Sequence, residues 1–227
     1  MVGRQRPGLY PVRLAIALIT YQRTACALAT IAAVREHLRY EDRAWYVADD
    51  GSAPEHGWAI MEALRGEEII GHHSERMGVG VNQNRALAAC FAWADQVLFL
   101  EDDWELRAVL DPEPYLQVLG RNPAVGMIRL GCLAVGSRCD VVGYEGRHYL
   151  RMDRATQYAF SGNPSLRHRR LHDWYGGYRV GLSPGDTELA FDGEFRARGG
   201  PDILWPVEIG GWGLFGHIGT TKTETML

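Results

Sequence analysis

The chain is 227 residues long, 46% hydrophobic and 23% charged, enough apolar material for one sizeable core and too much for a disordered segment. A net charge of -4 excludes the general basic field that nonspecific nucleic-acid binding needs. Cys26, Cys90, Cys132 and Cys139 lack C-x-x-C spacing, which argues against both a structural zinc and a disulfide framework.

No apolar run reaches the roughly 20 residues of a membrane-spanning helix. Residues 1–13 mix Arg4, Arg6 and Arg13 with Pro7, Gly8 and Pro11, and the short apolar run that follows leads into Thr20 and Tyr21. That is a poor leader and a good first strand, so a cytoplasmic protein without a membrane-spanning segment is expected.

Residues 13–19 (R-L-A-I-A-L-I) form a continuous apolar run of strand length, as in strands buried on both faces. Residues 24–38 place Ala27, Leu28, Ile31, Ala32, Val34 and Leu38 at helical spacing. A second strand is predicted over 44–48, a helix over 54–65, a short strand over 68–72, a helix over 81–94 and a strand over 96–100. This alternation predicts a mostly parallel central sheet flanked by helices. Beyond it, 125–130 reads as a strand, 144–160 as short β-like runs, and 165–175 and 187–198 as helices. Glycine pairs near 176, 199 and 210 break the tail into loops. The expectation is one α/β domain whose residues 13–106 bind the ligand and whose looser half, 107–227, receives a second substrate.

Ligands of open parallel sheets bind beyond the carboxyl ends of the strands. Three polar clusters fall there: Thr20-Tyr21-Gln22-Arg23, Asp49-Asp50-Gly51-Ser52 and Glu101-Asp102-Asp103. Carboxylates crowded after an apolar strand need a cation or hydrogen-bond donors, and oxygen ligands point to Mg²⁺ or Mn²⁺ rather than zinc. Each cluster also has a plainer reading. Asp-Gly-Ser is a common tight turn, and acids before a helix serve its N-terminus.

Together the segments I-A-L-I-T-Y-Q-R, V-A-D-D-G-S, G-V-G-V-N-Q-N-R-A-L and V-L-F-L-E-D-D resemble the family-2 glycosyltransferases of GT-A (Rossmann-like) fold. The resemblance covers residues 13–106 in order and spacing, and is weaker beyond. It implies an inverting, metal-dependent transfer of sugar from a UDP-, GDP- or dTDP-linked donor to an acceptor hydroxyl. Thr20, Tyr21, Arg23, Asp49, Asp50, Gln83, Arg85, Glu101 and Asp102 would then contact the donor nucleotide, and Asp103 the metal. Two positions depart from the pattern: Gln83 stands where the family usually has arginine, with Arg85 two residues on, and Glu101 is the first acid of the D-x-D-like motif.

Inverting transfer needs a carboxylate to take the acceptor proton. Ser183-Pro184-Gly185-Asp186-Thr187-Glu188 resembles the family's base-bearing helix start, giving Asp186 as base and Glu188 as runner-up; Asp186 equally suits a helix N-terminus. His217, after a glycine-rich loop, is a candidate second metal ligand. Arg169, Arg170, Trp174 and Trp212 are candidate acceptor contacts, the arginines alternatively forming a solvated helix face. The acceptor is left open among a saccharide, a lipid-linked saccharide and a hydroxymethylated base in DNA. A nucleotidyltransferase of the same fold and a non-catalytic saccharide- or nucleic-acid-binding protein are the rival readings. The first is disfavoured because the loop after the first strand has no glycine.

Overall fold

The structure, a computed structural model, describes residues 12–133 and 138–219. The leader assessment at residues 1–11 lies outside the described residues. Among those described, no helix is long and apolar enough to cross a membrane.

Strand β1 (Leu14–Thr20) has every side chain buried, because a run that is apolar on both faces needs a layer on each. β2 (Arg43–Asp49) and β4 (Gln96–Glu101) flank it in parallel, and β3 (Ile69–His73) lies outside β2. Helices α1 (Thr24–His37), α2 (Pro54–Ala63) and α3 (Val79–Trp93) make the connections. Alternation along the strands divides the core. Leu14, Ile16, Leu18, Leu98 and Leu100 pack with α1 residues Ala27 and Ile31. Ala15, Ala17, Ile19, Val97 and Phe99 face the opposite way, onto Ala86, Leu87 and Cys90 of α3.

The second half extends the same sheet. It contains α4 (Glu113–Arg121), β6 (Val125–Arg129), the hairpin β7 (Cys139–Tyr144) and β8 (Arg147–Met152), β9 (Ser165–His168), α5 (Arg170–Tyr175), α6 (Pro184–Ala197) and β10 (Asp202–Pro206). Strand order is β3-β2-β1-β4-β9-β6-β10-β8-β7. Only β9 and β8 run antiparallel to both neighbours, so the other seven strands share one direction. β5 (Trp104–Leu106) and β11 (Phe215–His217) form a separate two-stranded ribbon.

The helix expected over 165–175 is half strand. Residues 165–168 pair with both β4 and β6, and only Arg170–Tyr175 is helical. Ser165 and Arg167, polar by sequence, are fully buried. Arg167 donates to Ser165 Oγ (2.9 Å) and to the Tyr178 hydroxyl, with its guanidinium 3.8 Å from the Phe99 ring centroid. A buried arginine satisfied by an aromatic face hides the strand from any hydrophobicity pattern.

Candidate active site

The strand register brings the three polar clusters together. Thr20 is opposite Asp49 on one side of β1, and Ile19 is opposite Glu101 on the other. The loops that follow open into one cavity of about 420 Å³ lined by Tyr21, Arg23, Asp50, Asn82, Glu101, Asp103 and the start of α6 at Pro184 and Gly185. A smaller cavity of about 280 Å³ shares Tyr21, Asp50 and Pro184 and adds Arg76.

Asp102 anchors the acid loop from below. It is fully buried, accepts from Thr20 Oγ1 (2.7 Å) and the Tyr21 amide (3.1 Å), and pairs with Arg23 at 2.6 Å. Thr20 Oγ1 also meets His56 Nε2 at 2.8 Å, and His56 Nδ1 meets Thr24 Oγ1 at 2.8 Å. Burial raises the Asp102 pKa to about 6, against the opposing pull of Arg23 and these donors. Glu101 is pushed up to about 8, first by burial and then by Asp103, Glu188 and Asp102.

Asp103 is 6% exposed. Its Oδ2 pairs with Arg23 and lies 3.1 Å from His217 Nε2, while its Oδ1 is buried without a partner. The ribbon places His217: β11 pairs with β5, setting His217 opposite Trp104, and the Ile218 amide donates to the Asp103 carbonyl (2.8 Å). Among the described residues, no group of three or more His, Cys, Asp or Glu side chains surrounds a single point. The buried, unpartnered Oδ1 of Asp103 and the imidazole nitrogen beside its Oδ2 nevertheless suit Mn²⁺ or Mg²⁺, which take further positions from phosphate oxygens and water. The residues fit such an ion.

Two solved structures share this architecture and hold nucleotide sugars. A mannosyltransferase, PcManGT from Pyrobaculum calidifontis, in complex with GDP-Man and Mn²⁺, is 16% identical with a TM-score of 0.62 over 87% of this chain and 55% of its own. S. aureus TarS 1–349 in complex with UDP-GlcNAc is 14% identical with a TM-score of 0.65 over 93% of this chain and 62% of its own. The fold matches that of these two structures. At this identity the likeness establishes the architecture alone, and the chain spans 55% of the mannosyltransferase chain, 62% of the TarS 1–349 chain and 36% of a longer TarS chain. No protein-family model and no curated protein matches it.

Within this fold, Thr20, Tyr21, Arg23, Asp50, Glu101, Asp102, Asp103 and His217 converge. Asp49 does not line the cavity. Its carboxylate accepts from the Ser52 amide and hydroxyl, closing the Asp-Gly-Ser turn. Asp50 turns the other way and accepts from the amides of Met77 (2.8 Å) and Gly78 (2.9 Å) ahead of α3. Gln83 is buried in α3 with its Oε1 unpartnered, and Arg85 is exposed and paired with Glu75. The guanidinium in this corner belongs to Arg76, 4.8 Å from the Tyr21 ring centroid. Sequence reading passed over Arg76 and Asn82. The only available cue for Arg76 was its place between β3 and the Gly78 turn, where φ is +81°.

Glu188 lies one turn into α6. Its Oε1 accepts from the Gly162 amide (2.6 Å), and a Cβ at Gly162 would touch both Glu101 Oε1 (3.5 Å) and Glu188 Oε1 (3.7 Å). Asp186 is exposed at the helix start beside the cavity-lining Gly185, and accepts from Ser183 Oγ (2.7 Å).

Three expected acceptor contacts lie away from the cavity. His168 pairs with Gln96, so Arg169, Arg170 and Trp174 follow β9 at the end of the sheet opposite the cavity. Arg170 donates to the carbonyls of Leu119, Asn122 and Val125, Arg169 pairs with Asp95, and Trp174 Nε1 bonds the Gly199 carbonyl. These side chains close helix and loop ends. Trp212 is 88% exposed, in the loop that meets the end of β6 through Leu133 and Gly131. It therefore lies at the same end as the cavity.

Proposed function

We propose that the chain transfers a sugar from a nucleotide-sugar donor to an acceptor hydroxyl, with a divalent cation held by Asp103 and His217. The observation that carries this reading is the convergence of Arg23, Asp50, Glu101 and Asp103 on one cavity beyond the parallel strands. Such an ion, when bound, offsets the charge that grows on the departing diphosphate. The protein's own groups do the rest. Tyr21, Asp50 and Arg76 enclose the nucleotide end, and Arg23, which lines the cavity, supplies a cation within reach of the phosphates. Glu101 lines the cavity beside Asp103, and burial together with the neighbouring acids raises its pKa.

Asp186 is the proposed base. It is exposed at the start of α6 next to the cavity-lining Gly185, whereas Glu188 is committed to the Gly162 amide. Transfer is then a single displacement with inversion at the anomeric carbon: the acceptor oxygen forms the new bond as Asp186 takes its proton and the nucleoside diphosphate leaves. The acids at the cleft favour a neutral, hydroxyl-bearing acceptor over a polyanion, and Trp212 offers an exposed face to a sugar ring.

Incubation with UDP-, GDP- and dTDP-sugars plus Mn²⁺ tests the reading through release of nucleoside diphosphate. At least one donor should turn over with wild type and none with Asp103→Asn. Equal release by the two proteins would end this account of the site.

A further inference from the structure

Arg23 stands where a cation and a donor phosphate would both act. Gln22, a non-glycine residue at φ +56°, has its amide held by Ser52 Oγ (2.7 Å), and this left-handed turn aims the next side chain back into the acid loop. The Arg23 guanidinium spans Asp102 Oδ1 (2.6 Å) and Asp103 Oδ2. That one group neutralises two carboxylates, 0% and 6% exposed. It also uses the same Asp103 oxygen that His217 approaches, and it lines the cavity.

We propose that Arg23 is an exchangeable counterion, which competes with a divalent cation for Asp103 and is released onto the donor diphosphate when that cation binds. The inference rests on the metal-dependent reading above and adds to it a coupling between ligands. Two cationic groups against one buried carboxylate repel each other strongly where water is scarce. A diphosphate relieves the conflict by offering the guanidinium an anionic fork of matching geometry. Asp102 keeps its bonds from Thr20 and Tyr21 meanwhile, so the loop retains its anchor as Arg23 turns. Cation and donor should therefore bind cooperatively, each weakly alone.

The test is Mn²⁺ binding by electron paramagnetic resonance at fixed free Mn²⁺, with and without saturating UDP or GDP. Wild type, Arg23→Gln and Arg23→Lys are compared, with thermal melts in parallel. Wild type should bind Mn²⁺ about tenfold more tightly with diphosphate than without. Arg23→Gln should bind Mn²⁺ alone about tenfold more tightly than wild type and lose most of that enhancement, and Arg23→Lys, which keeps the charge, should stay near wild type. Equal Mn²⁺ affinity of Arg23→Gln and wild type without diphosphate overturns the proposal and leaves the metal site standing. Should Arg23→Gln not fold, Arg23→Met, which keeps the chain without the charge, takes its place with the same expected and overturning results, and wild-type binding that is indifferent to diphosphate overturns the coupling in any case. No Mn²⁺ binding by any of the proteins under either condition overturns the metal-dependent reading itself.

Discussion

At the scale of single residues, the site depends on which atom each carboxylate offers and to whom. Asp49 and Asp50 are neighbours in sequence, yet one closes its own turn and the other ties the α3 start to the cavity wall. Asp186 and Glu188 are two residues apart on α6, and one faces solvent while the other faces Gly162 and Glu101. These differences separate the two α6 acids experimentally. Asp186→Asn should lower kcat by about 10²–10⁴, the usual worth of a general base. Glu188→Gln, whose Oε1 can still accept from Gly162, should lower it by less than about tenfold. Steady-state kinetics with one donor decides, and full activity in Asp186→Asn removes it as base.

At the scale of elements, the glycine-rich loop before β11 fixes where His217 stands. Gly213 has φ +70°, and a Cβ there would lie 1.5 Å from the Gly131 carbonyl oxygen. Gly213→Ala should cost on the order of 1–3 kcal/mol through strain and clash. It should also weaken Mn²⁺ binding measured with diphosphate, because the β11–β5 pairing shifts. Unchanged melting and unchanged Mn²⁺ affinity would contradict that role.

The β9–α5 connection carries a second element-scale prediction. Burial lowers the His172 pKa to about 3, with Arg167 adding to the effect. Its ring packs among Phe91, Tyr178 and Phe191. His168 is lowered to about 4 by burial and Arg170. A histidine depressed in the folded state contributes full stability above its unfolded pKa, about 6.5, and loses it as pH falls toward the folded value. Glu101 and Asp102, raised by burial, titrate with the opposite sign, so the comparison must be with His172→Phe. Relative to that variant, wild type should lose on the order of 1–2 kcal/mol between pH 6.5 and pH 4.5. Urea midpoints at the two pH values measure it, and a constant difference refutes it.

For the whole molecule, the donor half and the proposed acceptor half share one sheet. β9 from the second half is inserted beside β4 from the first, and β11 returns to pair with β5. Asn84 of α3 exchanges bonds with the Tyr178 amide (2.7 Å) and carbonyl (2.8 Å), and a Cβ at Gly80 would strike the Arg179 carbonyl at 2.3 Å. Unfolding should therefore be one cooperative transition. Leu18→Ala, in the central strand, should lower its free energy by about 2–5 kcal/mol without splitting it. Separate transitions by tryptophan fluorescence and by circular dichroism would show that the halves unfold independently.

The first hundred residues were legible because strands buried on both faces are written as continuous apolar runs, and the loops at their carboxyl ends carry clustered polar and charged residues. From L-A-I-A-L-I, V-A-D-D and V-L-F-L-E-D-D alone follow the parallel sheet and the place of the cavity. Tertiary structure decided what local pattern does not encode. It made Ser165–His168 a strand, because Arg167 is buried by aromatic faces rather than by its own hydrophobicity. It placed Arg169 and Arg170 at the far end of the sheet, because an antiparallel strand reverses the direction of whatever follows it. And it set His217 beside Asp103 across 114 positions of chain, a proximity that comes from the pairing of two three-residue strands too short to have a period.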